Sequence, residues 1–396
     1  MRTKASLIFA IFALGLAGCS ENRGGVPDAP VTLEIPATGP ADGPRLADGL
    51  DGRLILSWME RHDAGATLRY SILEKGELST PRDAVDEARM FVNWADLPGV
   101  MQVAEHHLIA HWLRYSADQV YSYDVVVSQS FDDGDTWSEP IAMHTDGTPT
   151  EHGFASLYRA PNGVGLLWLD GRETPEGPMT LRAAVITPNG DREQEVVVDE
   201  SVCDCCQTDV AIAASGPIAA YRDRTIDEIR DIYVSRQIDG TWMRGERVAA
   251  DDWEIGGCPV NGPSIIADNR NVAVAWFTAA HGKPAVRVVR SSDSGASFSE
   301  PLNIASGRVS GYVGLVHLPH GQLAISWVSR NADGSNQLNV RLVEADGELA
   351  PVQAIASINQ LRVFPQLGFQ DGSLYLFWTD EQDEARRMHA ARVPIL

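Results

Sequence analysis

Positive charge is what this chain has least of. Its 32 lysines and arginines are set against 54 aspartates and glutamates, a formal net charge of −22 at pH 7. So acidic a surface repels phosphate, which excludes nucleic acid and bare anionic lipid as expected partners. Long apolar runs are also scarce, and after residue 16 none is long enough to cross a bilayer as a helix. Cysteine is sparse, five in 396 residues, and four of the five fall between Cys203 and Cys258. Aromatic residues make up only 7% of the chain, yet ten of them are tryptophan. Their placement is the most informative thing present.

A short apolar phrase ending in an aromatic anchor returns seven times. The anchors are Trp58, Trp112, Trp168, Tyr221, Trp276, Trp327 and Trp378. By subtraction of those numbers, the spacings are 54, 56, 53, 55, 51 and 51 residues. A period of that length marks a repeat architecture. Each period contains short alternating strands bounded by Gly, Asn and Asp, the pattern of sequential antiparallel hairpins. Gly76, Gly134, Gly190, Gly240, Gly295 and Gly347 follow the third strand in six periods, where a turn needs positive φ. The seventh period ends one strand short at Leu396, and one extra strand, residues 31–35, precedes the first. The expected fold is all-β: a single β-propeller of four-stranded antiparallel blades, seven in number with six as the alternative. Residues 31–35 are expected to complete the last blade and close the ring, which removes the open sheet edge.

In two periods the third-strand turn is fuller. Ser130, Asp132, Gly134 and Trp137 occupy the same places as Ser291, Asp293, Gly295 and Phe298, in the pattern Ser-x-Asp-x-Gly-x-Thr/Ser-aromatic. This resembles the Asp-box (BNR) motif of the sialidase superfamily, and with the period it covers residues 31–396. The resemblance implies that these turns are structural and lie on the face opposite the active site. It further implies three arginines gripping a substrate carboxylate, an aspartate as acid/base and a tyrosine nucleophile. An arginine fork suits a carboxylate because it donates bidentately. Arg45, Arg222 and Arg362 match the clamp, Asp170 or Asp223 the acid, and Tyr312, within Gly311-Tyr312-Val313-Gly314, the nucleophile. Two departures stand out: the early Phe/Tyr-Arg-Ile-Pro motif is absent, and the family's enzymes have six blades.

The loops on the face away from the Asp boxes hold the remaining unusual residues. They include His152, Arg230 and Asn261, further candidates for substrate binding. They also hold Cys203-Asp204-Cys205-Cys206 and Gly257-Cys258-Pro259-Val260-Asn261-Gly262-Pro263, segments that resemble the signature of a bacterial lipoprotein subgroup of such propellers. Disulfides are the favoured state of Cys203, Cys205, Cys206 and Cys258, with Cys258 joined to one of the first three across adjacent blades. A strained Cys205–Cys206 bridge and a thiolate site for copper or zinc are the alternatives. No other cofactor is expected.

The amino terminus reads as a targeting segment. Arg2 and Lys4 precede an apolar run, then Leu16-Ala17-Gly18-Cys19. That ending resembles a bacterial lipobox. It implies a signal peptide at 1–18, lipidation of Cys19, a tether over 19–30 and anchoring in the cell envelope, at the outer membrane. Three functions follow as expectations. The first is a sialidase-like glycosidase acting on acidic glycans. The second is a propeller binding a glycan or an envelope protein without catalysis. The third is a periplasmic metal or redox protein using the cysteines.

Overall fold

The computed structural model describes residues 29–359, 363–382 and 385–395. The signal segment, Cys19 and Arg362 lie outside them. Seven antiparallel sheets follow one another along the chain. Their innermost strands are Ala41–Asp48, Gly99–Ala104, His152–Ala160, Asp209–Ala213, Ser264–Asp268, Val309–His317 and Gln366–Gln370. These define blades 1 to 7. In blade 7, Val31–Leu33 pairs with Ala385–Pro394 in the register Val31↔Arg392 and Leu33↔Ala390. The amino-terminal strand therefore closes the ring, although it is three residues long rather than five. No helix among the described residues is long and apolar enough to cross a membrane.

The seven anchors explain why the blades assemble. Every one is buried, from 0% exposed at Trp58, Trp112, Trp168 and Tyr221 to 6% at Trp378. Each packs on the blade before it. Trp112 meets Ile55 and Tyr70 of blade 1, Trp168 meets Ile109 and Leu113 of blade 2, and Trp58 meets Tyr375 and Phe377 of blade 7. An aromatic side chain that buries about 150–250 Å² gains roughly 4–6 kcal/mol of transfer free energy. At four anchors a nearby acid satisfies the polar edge, whereas Trp112 Nε1 is buried without a partner. Trp58 Nε1 donates to Glu60 (3.0 Å), Trp168 Nε1 to Asp170 (2.7 Å) and Trp276 Nε1 to Asp251 (2.7 Å). The Tyr221 hydroxyl does the same to Asp199 at 2.6 Å.

Strand alternation sorts the loops between two faces. The lower face carries the turns after the third strand, and all six expected glycines there have positive φ, between +76° and +91°. The two fuller turns are bonded identically. Ser130 Oγ accepts from Gly134 N (2.8 Å), and Asp132 accepts from Thr136 N (2.9 Å) and Thr136 Oγ1 (2.7 Å). Ser291, Asp293, Gly295 and Ser297 repeat this at 2.9, 2.9 and 2.6 Å. These hydrogen bonds hold both aspartates below the usual carboxylate range. Trp137 lies edge-on to Tyr70 of blade 1, with centroids 6.4 Å apart, so the turn also fastens one blade to the one before.

Candidate functional site

The inner strands surround an axial cavity of about 640 Å³. Asp96, Phe154, Tyr312 and Phe364 line its upper end, Arg45, His111 and Asp209 its middle, and Asp48, Asp268 and His317 its lower end. A cavity with a few convergent polar groups is the first place to look for a ligand.

Two backbone kinks shape the upper end. In blade 3 the inner-strand register breaks between Gly153 and Ser156, and in blade 6 between Gly311 and Gly314. At each break an aromatic residue takes the left-handed conformation, Phe154 at φ +51° and Tyr312 at φ +55°. Such a conformation costs about 1–3 kcal/mol for a residue with a side chain. The same device holds both. Phe154 N donates to Asp96 Oδ2 at 2.7 Å, and Tyr312 N donates to Asn261 Oδ1 at 2.7 Å. The glycines before them permit the approach, because a Cβ on Gly153 would lie 2.1 Å from Asp96 Oδ2 and one on Gly311 2.1 Å from Asn261 Oδ1. Asp96-Leu97-Pro98 and Asn261-Gly262-Pro263 each stand just before an inner strand. The site thus contains an internal repeat, Asx-x-Pro on one blade and Gly-aromatic on the next.

The two copies differ in charge. The amide of Asn261 performs the bond, so a carboxyl is unnecessary for it. Asp96 instead places a titratable group on the cavity, 3% exposed. Burial raises its pKa to about 7, with Glu151 adding repulsion and the Phe154 amide and Arg45 opposing. Glu151, one residue before the inner strand of blade 3, is raised to about 7 by burial and by Asp204. Asp209 is raised to about 6 by desolvation. Asp96 and Asp209 line the cavity, and Glu151 stands outside its lining but near enough to Asp96 to repel it. Carboxyls that exchange protons near neutrality are a mark of acid–base chemistry.

Apolar rings cover this end. Trp94 stacks on Phe364 with centroids 5.5 Å apart, and Phe364 meets the Tyr312 ring edge-on at 5.0 Å. Trp94 and Phe364 both pack against the core of blades 3 and 4 and against that of blades 6 and 7. They therefore reach across the top of the axis.

Of the residues singled out in the sequence, Arg45 and Tyr312 line the same cavity. Arg45 is not free to clamp: it donates to Leu97 O (2.8 Å) and Ala155 O (2.9 Å) and sits 3.4 Å from His111 Nε2. Arg222 is a correction to the clamp. Its guanidinium donates to the main-chain oxygens of Asn261, Arg230 and Phe277 at 2.6–3.0 Å and lies over Trp253. It is a staple between blades 4 and 5.

Asp170 is a second correction. It is 0% exposed, receives both nitrogens of the Arg172 fork at 2.7 Å, and also accepts from Trp168. Burial opposes its ionisation, but the Arg172 bonds prevail and hold it below the usual carboxylate range, so it has no proton to give. His152 belongs to the same buried group, stacked on His144 at 3.6 Å and beside Asp146. Asp223 is raised to about 7 by burial and by Asp199, but it does not line the axial cavity. Arg230 is tied to Glu228 (2.7 Å) and to Cys203 Sγ (3.4 Å), and Asn261 serves as the pin already described.

Sequence reading passed over Asp96, Glu151, Trp94 and Phe364. The Asx-x-Pro repeat was the available signal for Asp96; nothing local marks the others.

The favoured inter-blade bridge is present: Cys205 joins Cys258 across 53 residues. Cys203 and Cys206 remain as thiols, with Sγ atoms 3.1 Å apart. Two residues separate them, a Cys-x-x-Cys spacing within the run Cys-x-Cys-Cys. Two of the four sulfurs are bonded to each other, so Cys203 and Cys206 are the two left as thiols.

No protein-family model and no curated protein matches this sequence. Solved structures do resemble it distantly. The polysaccharide lyase Uly1 aligns with TM-score 0.48 and 9% identity, over 97% of this chain and 94% of that chain. The Penicillium chrysogenum alpha-L-arabinanase complexed with arabinobiose gives 0.49 and 12%, over 93% and 98%. The phage phi92 endosialidase gives 0.48 and 9%, over 94% and 69%.

Proposed function

We propose that the upper end of the axial cavity binds a glycan and cleaves it, with Asp96 as the general acid. The observation that carries this reading is Asp96 itself. It is a buried carboxyl kept protonated to about pH 7, on the cavity, at a position whose counterpart in the repeat is an amide. Glu151, close enough to repel it, is the partner carboxylate. Cleaving a glycosidic bond calls for two carboxyl groups, one giving a proton to the leaving oxygen and one acting on the sugar or on water. Phe364, backed by Trp94, and Tyr312 offer apolar walls to the carbon face of a sugar ring. Anchored through Cys19, such a site faces the polysaccharides of the envelope. The three-arginine grip on a substrate carboxylate does not enter, because Arg45 and Arg222 are already occupied by main-chain oxygens.

The test is a panel of aryl glycosides and acidic oligosaccharides, followed by product release and by tryptophan fluorescence. Wild-type protein is expected to turn over at least one, with a rate greatest near pH 7 that falls above it as Asp96 loses its proton and below it as Glu151 gains one. Asp96→Asn keeps the Phe154 bond and the ligand-induced fluorescence change, and loses about 100-fold or more in rate. Saturable binding without any turnover would replace the hydrolase by a binding protein. No binding across the panel would defeat the glycan reading.

A further inference from the structure

The cysteine group has no part in the glycan reading, and four sulfurs meet there. Cys203 and Cys206 are both buried, at 1% and 2% exposed, in the loop that enters blade 4. The sulfurs of Cys203, Cys205 and Cys258 lie within 4.8 Å of one another. A dithiol and a disulfide thus lie within 4.8 Å of each other inside one protein, and the Cys258 end of the disulfide is exposed. The Arg230 guanidinium stands 3.4 Å from Cys203 Sγ.

We propose that Cys203 attacks the neighbouring bridge and moves it from Cys205–Cys258 to Cys203–Cys206. In the first step the Cys203 thiolate forms a bond to Cys258 Sγ, and the electron pair of the old bond leaves on Cys205. In the second step Cys206 gives its proton to the Cys205 thiolate and, as a thiolate, attacks Cys203, and the pair leaves on Cys258. One disulfide and two thiols are present before and after, so no outside oxidant or reductant is required.

The environment assigns the roles. The Cys206 thiol, the Cys205 amide, Arg222 and Arg230 stabilise a Cys203 thiolate against burial, bringing its pKa to about 6. Burial pushes Cys206 up, so it stays a thiol and donates to its neighbour. Exchange proceeds through the thiolate, and a nearby guanidinium favours it. The consequence reaches the axial cavity. Cys258 lies three residues before Asn261, whose side chain pins Tyr312 N and whose carbonyl holds Arg222. Moving the bridge unfastens that loop from blade 4.

Native full-length protein treated with N-ethylmaleimide, then quenched, unfolded and mapped by peptide mass, tests this. The expected result is label on Cys205 and Cys258 with a Cys203–Cys206 bridge. The labelling rate rises about tenfold per pH unit below 6 and levels above it. Cys203→Ser lowers labelling of Cys205 and Cys258 at least tenfold. Cys206→Ser stops after the first step, giving a Cys203–Cys258 bridge with label on Cys205. Label on Cys203 or Cys206 beside an intact Cys205–Cys258 bridge overturns the proposal. So does the absence of any label before unfolding. Neither outcome depends on glycan binding.

Discussion

Blades 2 and 5 carry matching segments on both faces, and the two faces use repetition differently. On the lower face, the serine and aspartate of each turn bond to groups no more than four residues away. Both copies keep the aspartate, because one carboxylate must accept from an amide and a hydroxyl at once. On the upper face, Asp96 and Asn261 bond to amides 58 and 51 residues away, on the next blade. There the copies diverge, acid in one and amide in the other. A residue kept in both copies and satisfied locally is structural. A residue that changes chemistry while its structural bond persists is where function has room to act.

The contrast can be broken in graded ways. Trp168→Ala removes an anchor that serves both faces, and is expected to cost about 3–5 kcal/mol in chemical denaturation. Cys258→Ser acts on the upper face only. Releasing a loop closed across 53 residues is expected to cost about 2–4 kcal/mol and to leave the lower turns unchanged in hydrogen exchange.

The lower face itself separates two effects. A Cβ on Gly134 would lie 2.0 Å from the Tyr70 hydroxyl, whereas one on Gly240 meets nothing within 4 Å, and both glycines have φ near +80°. Gly134→Ala is expected to cost about 2–3 kcal/mol, and Gly240→Ala only about 1 kcal/mol for the backbone. Equal losses would show that the interlock with blade 1 contributes nothing.

The smallest effect sharpens the upper-face contrast. Asp96 has a folded-state pKa of about 7, above its ordinary 3.8, so the folded protein holds that proton more tightly than the unfolded chain. Its contribution to stability is full at low pH and declines as pH rises from about 4 to about 7. Asp96→Asn removes that decline. The variant's Tm relative to wild type is expected to be higher at pH 8 than at pH 5 by about 2–4 °C. A difference of zero would mean that Asp96 is ionised at both pH values.

Much of the fold was legible because its determinants recur. Seven anchors at a near-constant spacing, six turn glycines and a surplus strand at 31–35 are each a count along the chain, and each was found in place. The bridge from Cys258 was legible as a choice among few partners. The candidate site was less so. Asp170 looked like a free acid because Arg172 is visible as a neighbour in sequence but not as a bidentate partner. Arg222 looked like a clamp because the carbonyls of Asn261 and Phe277 that occupy it lie 39 and 55 residues away. Trp94 and Phe364 stand in loops at opposite ends of the chain and give no local sign that they stack.

By itself, then, the sequence determined what period and turn chemistry can specify: strand order, blade number, ring closure and the construction of the lower turns. Those depend on contacts within one repeat or between neighbouring repeats, and periodicity records them. Tertiary structure alone decided which charges are satisfied and which carboxyls keep a proton. It also decided which sulfurs touch. The physical reason is that desolvation and hydrogen-bond competition at the axis are set by residues from all seven blades at once, and no stretch of chain carries their sum.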